Sequence, residues 1–398
     1  MAVRRSGLPA YLVTATTSRS ATESTGPALL VATIATVGSA TTGSYLVASI
    51  TASAAIGGPL VGALIDRSRH PRAGFALSMT VMALGVAAIA VTLGHAPLPV
   101  VIGLAVVAGI GYPALTGAWS AQIPRLVPTD RISQAYSADV ATYSVAAVVA
   151  PPLATALVVL SPTAPLWMPF GLLVISLALL RTVPLTARAE TGSPTTLRRD
   201  LRAGAATLVR RPGLRRTTII TTVGFAGQAA IFVAAPILAQ SIGGSLGFTG
   251  IILGVFAVGG VITAAWLARR PVARPDRAVI AGTAVSMLAL AAVGLAPTAP
   301  LLLAAAFVMG AAEPPLVSAM FQIRVRESEP RVQAQVFSTA ASLRMTAFAL
   351  ATAASGWLLH WGIGAVISFG VLLHLVSLIV GIAVGPRVPP REQWARRT

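Results

Sequence analysis

The sequence predicts an all-α membrane protein with twelve transmembrane helices in two six-helix repeats. Three observations lead there. Of 398 residues 55% are apolar and only 10% are charged, with a mean hydropathy of +0.81. A soluble domain carries about 25% charged residues, so most of this chain faces something other than water. The apolar residues fall into runs long enough to cross a bilayer, and the basic residues gather at alternate breaks between those runs.

Taken in order, the runs predict spans at roughly 9–36, 43–65, 73–93, 98–120, 135–160, 165–182, 216–240, 246–268, 277–296, 300–321, 334–358 and 363–385. Several breaks are short and rich in Gly, Pro and Ser, such as His95-Ala96-Pro97 and Ser241-Ile242-Gly243-Gly244-Ser245. One connection is long. It divides the chain into a six-helix bundle at 1–182, a linker at 183–215, and a second bundle with a short tail at 216–398. Within the linker, Leu197, Leu201, Ala205, Leu208 and Val209 recur at helical spacing between arginines, which predicts a short amphipathic helix on the membrane surface ending at Pro212.

All 29 basic residues are arginine. Only Arg19 and Arg344 lie inside spans; the others sit at the chain ends, the central linker and alternate connections. Basic residues stay on the cytoplasmic side, so both termini are expected there, in a multi-pass protein of a cell membrane, with a bacterial inner or plasma membrane the expected setting. Trp119 and Trp266 at inner span ends, and Trp167, Trp357 and Trp361 at outer ends, are expected to mark the headgroup regions. Arg4 and Arg5 resemble a signal-peptide start, but Arg19 and Glu23 interrupt the apolar stretch that should follow.

Several functions are excluded. There is no cysteine, so thiol chemistry, disulfides and cysteine metal sites are absent. The four histidines, His70, His95, His360 and His374, show no metal-ligand spacing, and a chain without lysine has no phosphate-binding P-loop. No enzymatic constellation, metal or cofactor is expected. In a soluble protein the net charge of +18 would point to nucleic acid; here it forms a fringe facing membrane lipids, and no nucleic-acid partner is expected. A monomer suffices.

The two parts of the chain echo each other. Gln122 and Arg131 match Gln322 and Arg331, and Gln134-Ala-Tyr-Ser137 matches Gln335-Val-Phe-Ser338. Gly109 and Pro113 match Gly310 and Pro314, and Gly57-Gly58 matches Gly259-Gly260. Six-helix repeats of this kind place a substrate site at their interface.

The segment Gly58-Pro-Leu-Val-Gly62-Ala-Leu-Ile-Asp66-Arg67-Ser-Arg69-His-Pro-Arg72 resembles the signature loop of the major facilitator superfamily. Gln122-Ile-Pro-Arg125-Leu-Val-Pro and the linker helix look like the branch of drug and siderophore exporters. The resemblance implies two bundles around a central cavity, and a conformational latch of Gly58, Gly62, Asp66, Arg67 and Arg72, with Asp66 near Gln333–Gln335 of span eleven. This chain departs from the pattern at Arg69, where the family has glycine, and at Ala268, where the second copy lacks the aspartate.

Ionisable residues inside spans carry the functional expectation: Arg19, Glu23, Asp139, Glu313 and Arg344. Each costs about 2.5–3.5 kcal/mol at mid-membrane on the insertion scale, so they should face a polar cavity or one another. Arg19 and Glu23 are four apart on one helix face, either as an ion pair that orients span one or as cavity groups. Asp139 lies near its helix start, where a structural role competes with proton coupling. Repeat positions pair Tyr112 with Glu313 and Tyr143 with Arg344; aligning Pro27 with Pro236 pairs Arg19 with Gln228 and Glu23 with Phe232. The resemblance makes Arg19, Glu23, Tyr112, Tyr143, Gln228, Phe232, Glu313 and Arg344 the substrate-binding set, and Glu23, Asp139 and Glu313 the proton-coupling candidates. It implies a proton-coupled exporter of a small amphipathic organic molecule. A facilitator or importer of the same fold is the alternative, and a transport-inactive receptor a remote one.

Overall fold

The computed structural model describes residues 7–67, 70–115, 117–120, 122–128, 132–185, 206–270, 272–328 and 330–383; of some helical stretches, 54–67 and 330–335 among them, only the backbone is described. Among the described residues, the helices of 13 residues or more are α1 (Leu8–Val37), α2 (Ala40–Arg67), α3 (Pro71–Thr92), α4 (Leu98–Ile110), α5 (Ile132–Ala156), α6 (Ala164–Leu179), α7 (Pro212–Gly243), α8 (Phe248–Arg269), α9 (Pro275–Leu295), α10 (Ala299–Glu327), α11 (Pro330–Leu358) and α12 (Ile363–Ala383). No strand occurs among the described residues. By length and apolarity eight of these helical regions can cross a membrane: α3, α6 to α10, α12, and a stretch from Ala141 to Val159 that takes in most of α5.

Local sequence explains the boundaries. Proline stands in the first turn of α1, α3, α4, α6, α7, α9 and α10, where its missing N–H would have no partner anyway. Gly38 and Gly244 end α1 and α7 in the left-handed conformation at φ 73° and 72°, which glycine adopts without strain. The fourth predicted span differs. Its regular helix stops at Ile110, and Pro113 falls in a 3₁₀ turn, Tyr112–Leu115, because proline cannot donate to the preceding turn and crowds it. α7 and α10 run well past their apolar runs, to Pro212 and Glu327, since a helix ends at a cap and not where hydrocarbon does.

α1 is dense in Ser and Thr, and Thr14, Ser18, Thr22, Ser24, Thr25 and Thr33 are buried. Thr14, Thr25 and Thr33 donate to the carbonyls of Ala10, Ala21 and Leu29 at 2.6–2.7 Å. These three hydroxyls are thereby satisfied within the helix itself.

The packing follows one scheme used twice. α1 packs on α2, α5 and α6, as α7 packs on α8, α11 and α12; α4 lies on α2 and α3, as α10 lies on α8 and α9. Glycines allow the closest approaches. A Cβ at Gly109 would collide with the Ile50 carbonyl of α2, and one at Gly310 with the Phe256 carbonyl of α8. Ser176 of α6 donates to the Thr14 carbonyl at 3.2 Å, and Ser377 of α12 to the Ile220 carbonyl at 2.8 Å. Outward-facing positions are apolar, including Leu77 and Leu84 on α3, Ile262 on α8 and Ile379 and Ile382 on α12, as expected for a surface solvated by acyl chains.

Two seams join the early helices to the late ones, α2 against α11 and α5 against α8. Thr41 donates to the Gly356 carbonyl at 2.8 Å, and a Cβ at Gly356 would lie 2.6 Å from that of Ser44. A Cβ at Gly250 would lie 2.8 Å from the Pro152 carbonyl. These contacts all lie at the end of the bundle where α1 turns into α2 and α7 into α8.

Some sequence expectations meet different outcomes here. Trp119 is fully buried, stacked on Phe75 at 4.4 Å and edge-on to Tyr11 at 5.6 Å, so its ring is held by protein side chains and does not face headgroups. Trp167, Trp266, Trp357 and Trp361 are exposed. Most of the linker helix lies outside the described residues; its last part is helical, and Leu208 is buried with Leu214, Val336 and Ala340.

Candidate functional site

The most developed polar cluster is built around Arg19 on α1. Its Nη1 lies 2.6 Å from Asp139 Oδ1 on α5 and also donates to the Asp139 carbonyl at 3.1 Å and to Thr142. Its Nη2 donates to Ser120 at 3.0 Å. Asp139 in turn accepts from Tyr11 at 2.5 Å and from Ser120 at 2.6 Å. The guanidinium lies 3.7 Å from the centroid of the Tyr143 ring. Arg19 and Asp139 are both buried, so the pair is out of water, and the surrounding hydroxyls bond every polar atom of the two side chains except Arg19 Nε.

This geometry decides between the two readings of Arg19 and Glu23. Arg19 takes its carboxylate from Asp139, 120 positions away, and makes no salt bridge with Glu23 among the described residues. Shared helix spacing brings Glu23 to the same side of α1, but packing of α1 on α5 offers Asp139 at closer range. Periodicity alone carried no sign of that pairing. Tyr11 and Ser120, which complete the cluster, were likewise not singled out by sequence.

Glu23 is half-buried, one turn further along α1, with Tyr112 and Arg19 as its electrostatic neighbours. Tyr112 is within hydrogen-bonding reach of Thr22. Glu313 of α10, at the position paired with Tyr112, is half-buried beside Gln228 of α7 and Arg344 of α11. Arg344 lies 4.3 Å from the Phe225 ring centroid and donates to Met320 Sδ at 3.7 Å. Phe232 belongs to an aromatic group with Phe256 and Phe348, at 5.9 and 5.8 Å. The predicted residues therefore fall into two sets, Arg19, Asp139 and Tyr143 with Glu23 and Tyr112, and Glu313, Gln228 and Arg344 with Phe232 nearby.

The repeat register comes out differently from the proline alignment. The bonds from Ser176 to Thr14 and from Ser377 to Ile220 set Thr14 opposite Ile220, and the crossings at Gly109 and Gly310 set Ile50 opposite Phe256 at the same spacing. Arg19 then corresponds to Phe225, not Gln228, and Glu23 to Ala229, not Phe232. Proline tolerates a shift of a few residues along a helix, whereas an interhelical hydrogen bond does not. The pairs Tyr112–Glu313 and Tyr143–Arg344 keep the spacing of Gly109 and Gly310.

Of the predicted latch, Arg72 is exposed and donates to the Val183 carbonyl at 2.8 Å, fastening α3 to the end of α6. Gly58, Gly62, Asp66 and Arg67 are in α2, and their side chains lie outside the described residues, as do those of Gln333 and Gln335. His374 is buried in a packing role, with Nδ1 2.8 Å from the Gly370 carbonyl. No cluster of metal-ligating side chains occurs among the described residues.

Comparison with known proteins agrees with this architecture. The sequence description of the Major Facilitator Superfamily matches residues 11–284. A protein of Sinorhizobium fredii described as "Uncharacterized MFS-type transporter y4rN" is 25% identical over 401 residues, covering 96% of this chain and 96% of its own. Among solved structures, the nucleoside transporter NupG is similar with a TM-score of 0.77 at 14% identity, covering 95% of this chain and 98% of its own. A POT family transporter crystallised with a thioalcohol-conjugated peptide has a TM-score of 0.75 at 12% identity, covering 95% of each chain.

Proposed function

The chain belongs to the major facilitator superfamily, and on that premise we propose that this transporter is a proton-coupled exporter of a small amphipathic organic solute. In this reading all twelve helices cross the membrane with both termini in the cytoplasm, and bundles 1–182 and 216–398 rock about a central cavity. The doubled packing scheme supports the two-bundle arrangement. The seams of α2 with α11 and of α5 with α8 are then the surfaces that open and close, and Thr41–Gly356 is a closed contact at the outer end.

The observation that carries the reading is the pair of half-buried carboxylates, Glu23 and Glu313, on helices of the two bundles. Both have polar or aromatic neighbours in place of lipid, and neither is consumed by the buried pair that holds Asp139. Asp139 is a positioning group for Arg19, which leaves Glu23 and Glu313 as the proton carriers. Each is protonated when open outward and deprotonated when open inward, with Arg344 as counter-charge to Glu313. Solute that displaces Arg344 from Glu313 couples its own passage to the proton. Tyr112, Tyr143, Gln228 and Phe232 complete the binding surface.

Transport driven by a pH gradient in proteoliposomes tests this with Glu23→Gln and Glu313→Gln. Loss of gradient-driven transport with solute counterflow retained is the expected result. Coupled transport unchanged in both variants rejects these residues as carriers and leaves a facilitator of the same fold.

A further inference from the structure

Two guanidinium groups on α10 and α11 carry buried nitrogens without a hydrogen-bond partner among the described residues. Arg324, near the end of α10, is 2% exposed, and its Nε and Nη2 have no hydrogen-bond partner among the described residues. Its guanidinium is 5.7 Å from the centroid of the Phe337 ring. Arg344 reaches back from α11 to Met320, one turn from Arg324, and its Nε is also without a partner. The two arginines stand within electrostatic reach of each other. Glu313 neighbours Arg344, and no carboxylate neighbours Arg324 among the described residues.

Packing does not require this charge. At the spacing of Gly109 and Gly310 the counterpart of Arg324 is Ile123, a fully buried aliphatic side chain, and at that of Gln122 and Gln322 it is Pro124, an uncharged residue either way. The counterpart of Asp139, which neutralises Arg19, is Ala340. The later bundle therefore has a cation where the earlier one has hydrocarbon, and lacks a carboxylate where the earlier one has it. A buried charge without a counter-charge is strongly unfavourable, so retaining it calls for a partner that comes and goes.

We propose that Arg324 and Arg344 form a subsite for an oxyanion, a carboxylate or phosphate group, between α10 and α11. This deepens the transporter reading and rests on it: the solute carries a negative group on an apolar body. Rings suited to that body adjoin the cations. Phe225 and Phe348 lie 5.0 Å apart beside Arg344, and Phe321 and Phe337 stack at 5.5 Å beside Arg324. Aromatic faces and paired guanidinium groups together favour an aryl or branched organic anion over a sugar or a cation.

The test is a ligand titration of thermal unfolding on the purified full-length protein, with probes of one ring and different charge: benzoate, phenylphosphonate, benzyl alcohol and benzylammonium. Saturable stabilisation by the two anions, and at least tenfold weaker response to the alcohol and the ammonium, is expected. Arg324→Ile, which restores the residue found at position 123, should fold and lose the anion response at least tenfold, while Arg326→Gln keeps it. A wild-type response indifferent to charge, or full anion response in Arg324→Ile, overturns the subsite. If Arg324→Ile does not fold, the wild-type charge series decides alone. Delipidated protein titrated with short-chain phosphatidylglycerol and phosphatidylcholine separates the sources: a response to the anionic lipid and not to the soluble anions assigns the oxyanion to a headgroup, and no response to either overturns the subsite. Solute counterflow that persists without any anion response removes the subsite and leaves the transporter reading standing.

Discussion

The Arg19 guanidinium of α1 lies 3.7 Å from the ring centroid of Tyr143 on α5, and the same helix pair in the later bundle makes the contact with its charge reversed in position. There, Arg344 on α11 lies 4.3 Å from Phe225 on α7. One cross-helix cation–π contact has thus been kept while its cation moved to the other helix. Arg19 makes a direct salt bridge, to Asp139 at 2.6 Å, and Arg344 makes none among the described residues, its nearest acid being Glu313; that difference separates a structural pair from one available to solute.

Removing Asp139 strands the Arg19 charge in a dry interior. Asp139→Ala should lower unfolding stability by about 3–5 kcal/mol, seen as a large drop in the thermal midpoint of the detergent-solubilised protein. The double variant Arg19→Leu/Asp139→Ala should recover most of that loss. A single variant as stable as the parent would show that the pair is not buried.

The crossings at Gly109 and Gly310 leave no room for a methyl group. Gly109→Ala and Gly310→Ala should each cost about 1–3 kcal/mol by forcing helices apart. Gly103→Ala and Gly171→Ala, where a Cβ meets nothing within 4 Å, should stay within about 0.5 kcal/mol of the parent. Thermal melts of the four variants side by side give the comparison; equal effects would contradict the close crossings.

A chain free of cysteine suits cross-linking. Ser44→Cys with Gly356→Cys brings two thiols within reach across the α2–α11 seam, since a Cβ at Gly356 lies 2.6 Å from that of Ser44 before any relaxation. Oxidation should arrest transport in proteoliposomes and reduction should restore it. Unchanged flux in the fully oxidised protein would mean that this seam never opens.

Charges around Asp276 should divide by exposure. Arg326 is 48% exposed and pairs with Asp276 at 3.1 Å, so Arg326→Ala should cost no more than about 1 kcal/mol. Arg216 is buried, lies 3.6 Å from the same carboxylate and donates to the Gly381 carbonyl at 2.7 Å. Arg216→Ala should cost about 1.5–3 kcal/mol. The ranking is read from unfolding midpoints, with added salt weakening only the Arg326 contribution.

Much of the fold was legible in the chain. Apolar runs between Gly- and Pro-rich breaks located the helices, because a lipid-facing helix must be apolar over its whole crossing and so leaves a long signal. The submerged charges were legible for the same reason, since Arg19, Glu23, Asp139, Glu313 and Arg344 stand out against their surroundings. Helix ends were less so, for α7 and α10 continue through residues that no hydrocarbon boundary marks.

By itself, then, the sequence determined that the protein is a helical membrane protein with charged groups inside its spans. The tertiary structure alone decided which charges belong together: Asp139 to Arg19, Glu313 to Arg344, and no acid to Arg324 among the described residues. Helical periodicity fixes which side chains share a face of one helix, but a counter-charge from another helix arrives only through packing. In a medium of low dielectric, the partner at closest range takes the charge.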